Sequence, residues 1–197
     1  MSALDKPPSP MALEGRASEF AAVLAAAAAT KRVAKQPTES MVREVTDLLV
    51  RLRDRKGRLF VVGNGGSAGV ASHAVTDFLN VGRLRATTLH DPALLTCMSN
   101  DYGYEVAFAN VLKVMAEPDD VLIAISSSGK SMNIRNAVEA MRALGGTCIT
   151  LSGFESSNPL RAMGDFNFWL DSKDYGMVEI GHQFILHNIA DRLRLGL

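Results

Sequence analysis

Short apolar runs and helix-forming segments alternate along the chain from Arg58 onward. The runs predict five strands, at Arg58–Val62, Arg85–Leu89, Val121–Ile125, Thr147–Leu151 and Asn167–Leu170. Continuous stretches of Val, Ile and Leu are typical of strands that are covered on both faces of a parallel sheet. The pattern therefore predicts an α/β fold, a five-stranded parallel sheet sandwiched by helices.

Helical segments separate and flank these strands. They are predicted at Ser67–Leu79, Pro92–Met98, Tyr104–Met115, Met132–Leu144, Pro159–Met163 and Val178–Leu195. Two further helices, Glu14–Gln36 and Thr38–Arg55, precede the sheet, and Gly57 ends the second. The first contains the Ala-rich stretch Phe20–Ala29, a strong helix former that we expect to be buried against Thr38–Arg55 or helices of another subunit.

The same pattern predicts one domain. Residues 1–12, which include Pro7, Pro8 and Pro10, are expected to form a flexible tail. Residues 13–197 form the domain, with the two helices over 13–57 and the α/β core over 58–197.

Two Gly/Ser-rich loops follow predicted strands. One is Gly63-Asn64-Gly65-Gly66-Ser67 and the other is Ser126-Ser127-Ser128-Gly129-Lys130-Ser131. A buried strand that ends in small residues before a helix presents backbone N–H groups and hydroxyls to an anion, usually a phosphate. Both loops are expected at the carboxyl edge of the sheet, where such folds bind ligands. They predict a phosphorylated small molecule as ligand.

The sequence of each loop also partly matches a nucleotide-binding motif. Gly63-x-Gly65-x-x-Ala68 fits a dinucleotide fingerprint with Asp91 as ribose contact, but this interpretation leaves the serine loop without a role. Ser128-Gly129-Lys130-Ser131 resembles the end of a Walker A loop. The first glycine of that motif is replaced by Ala124, so the loop is too short for a triphosphate. No nucleotide cofactor is predicted.

Composition excludes several other classes. The 197 residues carry 21 Lys+Arg and 21 Asp+Glu, so no global basic field attracts nucleic acid, and no segment suggests a membrane partner or a signal peptide. Cys97 and Cys148 lie in apolar contexts without C-x-x-C spacing. Buried free thiols are expected, which fits a cytoplasmic protein.

Acid–base and metal chemistry has candidates on two of the predicted helices. His73 and Asp77 are four residues apart and share one face, a spacing used for metal ligation or for an oriented histidine–carboxylate pair. Glu179, His182 and His187 lie on the last helix. Glu179 and His187 are about 80° apart around it, so both can line one cleft. A surface pair at His73–Asp77 and a packed or solvent-facing His182 remain alternatives.

The chain resembles sugar isomerase (SIS) domains and, among them, the phosphoheptose isomerases. The resemblance is carried by Gly63–Ala68, Asn100-Asp101-Tyr102-Gly103, the serine loop followed by Asn133, and Leu151-Ser152-Gly153. It implies a homotetramer that converts sedoheptulose 7-phosphate into a heptose 7-phosphate through an enediol. The substrate-binding residues that it implies are Asn64, Gly65, Gly66, Ser67, Asn100, Asp101, Ser126, Ser127, Ser128, Ser131 and Glu179.

The resemblance also implies catalytic roles. It makes Asp77 the base that moves the proton and His187 the complementary acid, and it implies that His73, Asp77, Glu179 and His187 can hold Zn²⁺. Four positions depart from the family pattern: Asp77 stands for glutamate, Glu179 for glutamine, Val81 for arginine and Gly176 for aspartate. These departures lie at the sugar end, so a non-catalytic phosphosugar-binding or protein-interaction module, similar to a regulator of replication initiation, is the alternative.

Overall fold

The computed structural model describes residues 11–197, so most of the predicted tail, residues 1–12, lies outside the described residues. Seven α-helices are present in this range: α1 (Leu13–Ala25), α2 (Thr38–Asp54), α3 (Gly66–Asn80), α4 (Pro92–Tyr102), α5 (Ala107–Met115), α6 (Met132–Ala143) and α7 (Tyr175–Leu195). The strands are β1 (Ala28–Lys31), β2 (Ala34–Gln36), β3 (Arg58–Val62), β4 (Arg85–Thr88), β5 (Val121–Ser126), β6 (Thr147–Ser152) and β7 (Phe166–Trp169). Short 3₁₀ turns at Tyr104–Val106 and Pro159–Ala162 complete the order.

The strands form one sheet in the order β2-β1-β7-β6-β5-β3-β4. The five predicted strands are its parallel part, and β3 matches the prediction residue for residue. The predicted strand number was wrong, because β1 and β2 add an antiparallel hairpin at the edge beside β7. The sheet is therefore mostly parallel and has seven strands.

The hairpin also corrects the first helix. Helix α1 ends at Ala25 rather than Gln36, and the chain continues into the two strands Ala28–Lys31 and Ala34–Gln36. Pairing with β7 aligns Ala29 with Phe168, and Ala29 is buried. The buried Asn167 side chain donates to the carbonyl oxygens of Thr30 (3.2 Å) and Arg32 (3.0 Å), which fastens the hairpin to the sheet.

Helices cover both faces of the sheet. Helices α2, α3 and α7 pack on one face, and α5 and α6 pack on the other. In α2, Met41, Val45, Leu49 and Leu52 recur at helical spacing and are fully buried. Asp91 and Asp174 cap α4 and α7 by accepting from the backbone N–H groups of Leu94 and Met177.

Two expectations about burial differ from the structure. Helix α1 buries none of its residues within the chain and packs against α7 rather than α2. Cys97 was predicted to be buried but is exposed, and it lies on α4, a helix without buried residues. Cys148 is buried as predicted. Burial raises the pKa of the Cys148 thiol to about 12. None of the helices in residues 11–197 has the length and apolar character needed to cross a bilayer.

Candidate active site

The two Gly/Ser-rich loops lie side by side because β3 and β5 are neighbouring parallel strands. Together they enclose a cavity of about 230 Å³, here called the serine pocket. Its lining residues are Asn64, Gly65, Gly66, Ser67, Ser126, Ser127, Ser128, Ser131, Tyr175 and Glu179. The structure thus brings together nine of the eleven residues expected to bind substrate, and Tyr175 joins them.

The serine loop, residues 126–131, presents hydroxyls to this pocket. Ser126 and Ser131 lie with their Oγ atoms 3.2 Å apart, and the buried Ser127 Oγ has no hydrogen-bond partner among the described residues. Ser128 Oγ accepts from the backbone N–H of Lys130 at 3.3 Å. A buried hydroxyl without a partner costs stability unless a ligand or water satisfies it. Phosphate oxygens are acceptors of the kind that these hydroxyls need.

Asn64 connects the first loop to the rest of the pocket wall. Its side-chain amide pairs with that of Asn133 through two hydrogen bonds of 2.9 Å. The Tyr104 hydroxyl donates to Asn64 Oδ1 at 2.7 Å. Behind the loop, the Gly63 N–H donates to His90 Nε2 at 3.3 Å, and burial lowers the pKa of His90, which favours the neutral form that accepts this bond.

Glu179 lies at the N-terminus of α3. A Cβ on Gly66, the first residue of that helix, would meet the Glu179 carboxylate, so glycine at this position gives the carboxylate room to approach the backbone. Backbone N–H groups at a helix N-terminus stabilise a negative charge. The carboxylate therefore occupies the kind of position that also favours a phosphate.

Asn100 and Asp101 do not line the serine pocket. Both are exposed on α4, and the Asn100 Nδ2 donates to Asp101 Oδ1 at 3.0 Å. The Asp101 carboxylate is also 3.6 Å from Cys97 Sγ and raises the pKa of that thiol. Within the single chain these two residues are therefore not part of the pocket lining.

A second group of polar side chains lies farther along α3 and α7, which pack side by side. His187 Nδ1 is 2.9 Å from Asp77 Oδ2, and His73 Nε2 is 3.3 Å from the same oxygen. Asp77 is 19% exposed, whereas the two histidines are more than half exposed. His187 Nε2 in turn lies 3.7 Å from Asp191 Oδ2. The carboxylate of Asp77 thus links both imidazoles.

These three residues, His73, Asp77 and His187, form a set that fits a metal ion. Their ligand atoms all lie within 4.8 Å of one another. Two imidazole nitrogens and one carboxylate oxygen are ligands that Zn²⁺ accepts, with a further position left for substrate. Glu179, expected in the same set, is not part of this group, because it lies about two helical turns before His187 at the serine pocket.

His182 has a structural environment. It is fully buried on α7, and its Nε2 donates to the carbonyl oxygen of Ser152 at 3.1 Å. Burial lowers its pKa to about 4, so the ring is neutral near neutral pH. Of the alternatives left open for this residue, packing is the one that the structure shows.

Asp174 has a structural role at the start of α7. Asp174 caps α7, and its Oδ2 accepts from Arg16 at 2.7 Å. That hydrogen bond lowers the pKa of Asp174. Gly176, two residues later, contributes no side chain to either group of polar residues.

Sequence reasoning missed three residues of these two groups: Tyr104, Tyr175 and Asp191. Asp191 follows His187 by four residues, so the spacing argument applied to His73 and Asp77 would have found it. The two tyrosines carry no spacing signal. They reach Asn64 and the serine pocket only because the chain folds.

Comparison with known proteins identifies the family. Residues 23–153 match the SIS domain family. The chain belongs to that family. A phosphoheptose isomerase of Mycobacterium tuberculosis is 36% identical over 161 residues, covering 79% of this chain and 82% of the relative. A phosphoheptose isomerase of Trichlorobacter lovleyi is 32% identical over 162 residues, with the same shares of the two chains covered.

A solved structure gives the same answer. The structure of a phosphoheptose isomerase from Francisella tularensis matches with a TM-score of 0.81 and 26% identity, covering 99% of this chain and 100% of that chain. The SIS-domain chain therefore belongs among the phosphoheptose isomerases, and the resemblance seen in its motifs is confirmed. The α/β fold with its mostly parallel sheet is likewise confirmed.

Proposed function

We propose that the protein is an aldose–ketose isomerase that converts sedoheptulose 7-phosphate into D-glycero-D-manno-heptose 7-phosphate. The observation that carries the proposal is the contact between Asp77 and His187, two groups capable of moving protons, beside a pocket built for phosphate. The phosphoheptose isomerase relatives support the choice of reaction and substrate.

The serine pocket binds the phosphate. Hydroxyls of Ser67, Ser126, Ser128 and Ser131 donate to its oxygens, and the N-terminus of α3 adds favourable charge. Gly65, with φ of +54°, lets the backbone approach the ligand closely. The sugar chain extends from this anchor along α3 and α7 towards Asp77.

Proton transfer is the work of Asp77 and His187. Asp77 removes a proton from C1 of the ketose and returns it to C2, so that a C1=C2 enediol forms and then collapses to the aldose. His187 gives a proton to O2 and accepts the one that leaves O1, so no atom is gained or lost. Because His187 Nδ1 contacts Asp77, each group fixes the orientation of the other.

Zn²⁺ fits the same place. His73, Asp77 and His187 would hold it, and a bound Zn²⁺ supplies Lewis-acid polarisation of the substrate oxygens. Glu179 lies outside this set of three, and its expected role as a ligand stays a prediction.

The oligomer and location follow from other features. Ile180 and Phe184 are exposed by 59% and 55% at adjacent turns of α7, and the Phe184 ring meets that of Phe20 on α1. An exposed apolar face that continues across two helices supports the proposed homotetramer. The two free thiols support a cytoplasmic location.

The test is solvent-deuterium exchange followed by NMR with sedoheptulose 7-phosphate, run with added zinc and with a chelator. We expect deuterium at the carbon beside the carbonyl and an aldose product. Asp77→Asn and His187→Ala should abolish exchange while phosphate binding remains, and Asp54→Asn, an exposed carboxylate on α2, serves as the matched control.

Two results would contradict the proposal. Wild-type rates in both variants would remove Asp77 and His187 from the chemistry. Saturable binding of the sugar phosphate without exchange in the wild-type protein would favour the non-catalytic phosphosugar-binding module instead.

A further inference from the structure

A second cleft lies between the β1–β2 hairpin and residues 156–162, which follow β6. Its volume is about 290 Å³, and we call it the hairpin cleft. The polar side chains that line it include Arg32, Lys35, Arg161, Ser156, Ser157 and Asn158. No carboxylate belongs to the lining. The cleft therefore combines three cationic groups with two hydroxyls, the side chains that bind phosphate in proteins.

Nearby carboxylates neutralise these cations only in part. Arg32 Nε is 3.8 Å from Asp165 Oδ1, too far for a hydrogen bond, and the Arg32 side chain is 83% exposed. Lys35 has no ion pair among residues 11–197. Glu155, which adjoins the serines of the cleft, is engaged by Lys173 at 2.8 Å. The cleft thus retains positive charge.

Arg161 is held in place by the protein rather than by a counter-ion. Its guanidinium lies 4.2 Å from the centroid of the Trp169 ring and donates to the Ser156 carbonyl oxygen at 2.8 Å. Burial lowers the pKa of Arg161 although the Asp171 carboxylate acts in the opposite direction. An anion in the cleft would stabilise this cation.

One wall of the hairpin cleft also touches the serine loop. The Leu160 N–H donates to the carbonyl oxygen of Gly129 at 3.2 Å, and a Cβ on Gly129 would collide with the Asn158 side chain. Asn158 itself is buried and donates to the Gly153 carbonyl oxygen, and the Gly153 N–H donates to that of Ser127. A ligand that orders residues 156–161 therefore acts on the backbone that carries Ser127 and Gly129.

We propose that the hairpin cleft is a second anion site, separate from the serine pocket, that binds a small phosphorylated metabolite through Arg32, Lys35 and Arg161. Through Asn158 and Leu160 its occupancy changes the turnover of the enzyme. The proposal of anion binding does not depend on the proposed isomerase activity, whereas the proposed effect on turnover rests on it.

The binding test uses Trp169, the single tryptophan of the chain. Its fluorescence is titrated with inorganic phosphate and with pyrophosphate at constant ionic strength. We expect a saturable change, with a half-saturating concentration that rises roughly tenfold in Arg32→Gln and in Lys35→Gln. Neither variant touches Trp169. Lys113→Gln, which removes a cation on α5, should titrate like the wild-type protein.

A parallel titration of Ser131→Ala separates the two sites. A signal that persists in Ser131→Ala and weakens in Arg32→Gln supports the hairpin cleft. A signal that is lost in Ser131→Ala and unchanged in Arg32→Gln arises from the serine pocket and overturns the proposal. An equal response to chloride, or no saturable response, overturns it as well.

The regulatory part is tested at saturating sedoheptulose 7-phosphate, where competition at the serine pocket is suppressed. Phosphate should change kcat of the wild-type enzyme and leave kcat of the Arg32→Gln/Lys35→Gln double variant unchanged. A wild-type kcat that does not respond while the fluorescence titrates overturns the regulatory part and leaves the anion site. Failure of the isomerase activity itself would leave the fluorescence result unaffected.

Discussion

Gly129→Ala tests the tightest contact beneath the serine loop. Gly129 has φ of +64°, and a Cβ there would meet Asn158, which is 3% exposed and forms several hydrogen bonds. Gly145 provides the matched control, because its φ is +84° but its added Cβ would meet only ordinary contacts with Pro118, at 3.8 Å and beyond. Gly145→Ala therefore carries the backbone strain without the collision.

The expected magnitudes differ accordingly. Left-handed backbone costs a residue with a Cβ about 1–2 kcal/mol, and this applies to both variants. Overpacking against Asn158 adds about 1–3 kcal/mol to Gly129→Ala alone. At about 2–4 °C per kcal/mol for a chain of this size, Gly129→Ala should lower Tm by several degrees more than Gly145→Ala does.

Thermal unfolding followed by circular dichroism measures the stability difference, and phosphate titration measures its consequence at the serine pocket. A displacement of about 1 Å in a binding or catalytic group costs on the order of a hundredfold in rate, so the serine loop of Gly129→Ala should also lose function. Gly145→Ala should keep it. Equal Tm values and equal phosphate affinity in the two variants would refute the assigned contact between Gly129 and Asn158.

Three further changes have definite expected outcomes. Glu179→Gln removes a negative charge from the serine pocket, so KM for the sugar phosphate should fall by a factor that corresponds to about 1–3 kcal/mol; an unchanged KM would place the bound phosphate away from Glu179. His182 has a pKa of about 4 when folded and about 6.5 when unfolded. The unfolded state therefore binds more protons between these values, and the free energy of unfolding should decrease by about 3 kcal/mol as pH falls from 6.5 to 4. In His182→Gln, urea unfolding should show a flatter pH dependence, and an identical slope would exclude His182 as its source. Phe184→Ser should weaken the proposed tetramer in light scattering, and an unchanged mass would remove this face from the interface.

The parallel strands could be predicted from the sequence because each is marked by a short segment of neighbouring residues. Four of the five predicted strands are mostly apolar, the exception being Arg85–Leu89, and each ends at a loop that the structure also shows. The hairpin was missed for a physical reason: residues 28–36 contain alanines and lysines that favour a helix in isolation. Pairing of Ala29 with Phe168 and the hydrogen bonds from Asn167 override that preference, and both come from residues far along the chain.

The candidate site divides in the same way. The serine pocket could be predicted because its two loops follow adjacent strands. Spacing placed His73 with Asp77 on one helix face, but only the packing of α3 against α7 shows that Asp77 contacts His187. Spacing alone also placed Glu179 with His187, whereas their separation of eight positions along α7 leaves Glu179 at the serine pocket and His187 at Asp77.

Because β1 pairs with β7, the hairpin at the sheet edge can join the sheet only after most of the chain has been synthesised. Thr30 and its neighbour across the sheet, Asn167, are 137 residues apart. At about 5–20 residues per second, a ribosome makes β7 about 7–27 s after β1. A two-stranded hairpin is marginally stable by itself, so residues 28–36 have no lasting partner over that interval. The first strand to be translated is thus among the last to be incorporated, and a nascent chain that stalls before Phe166 would leave it unpaired.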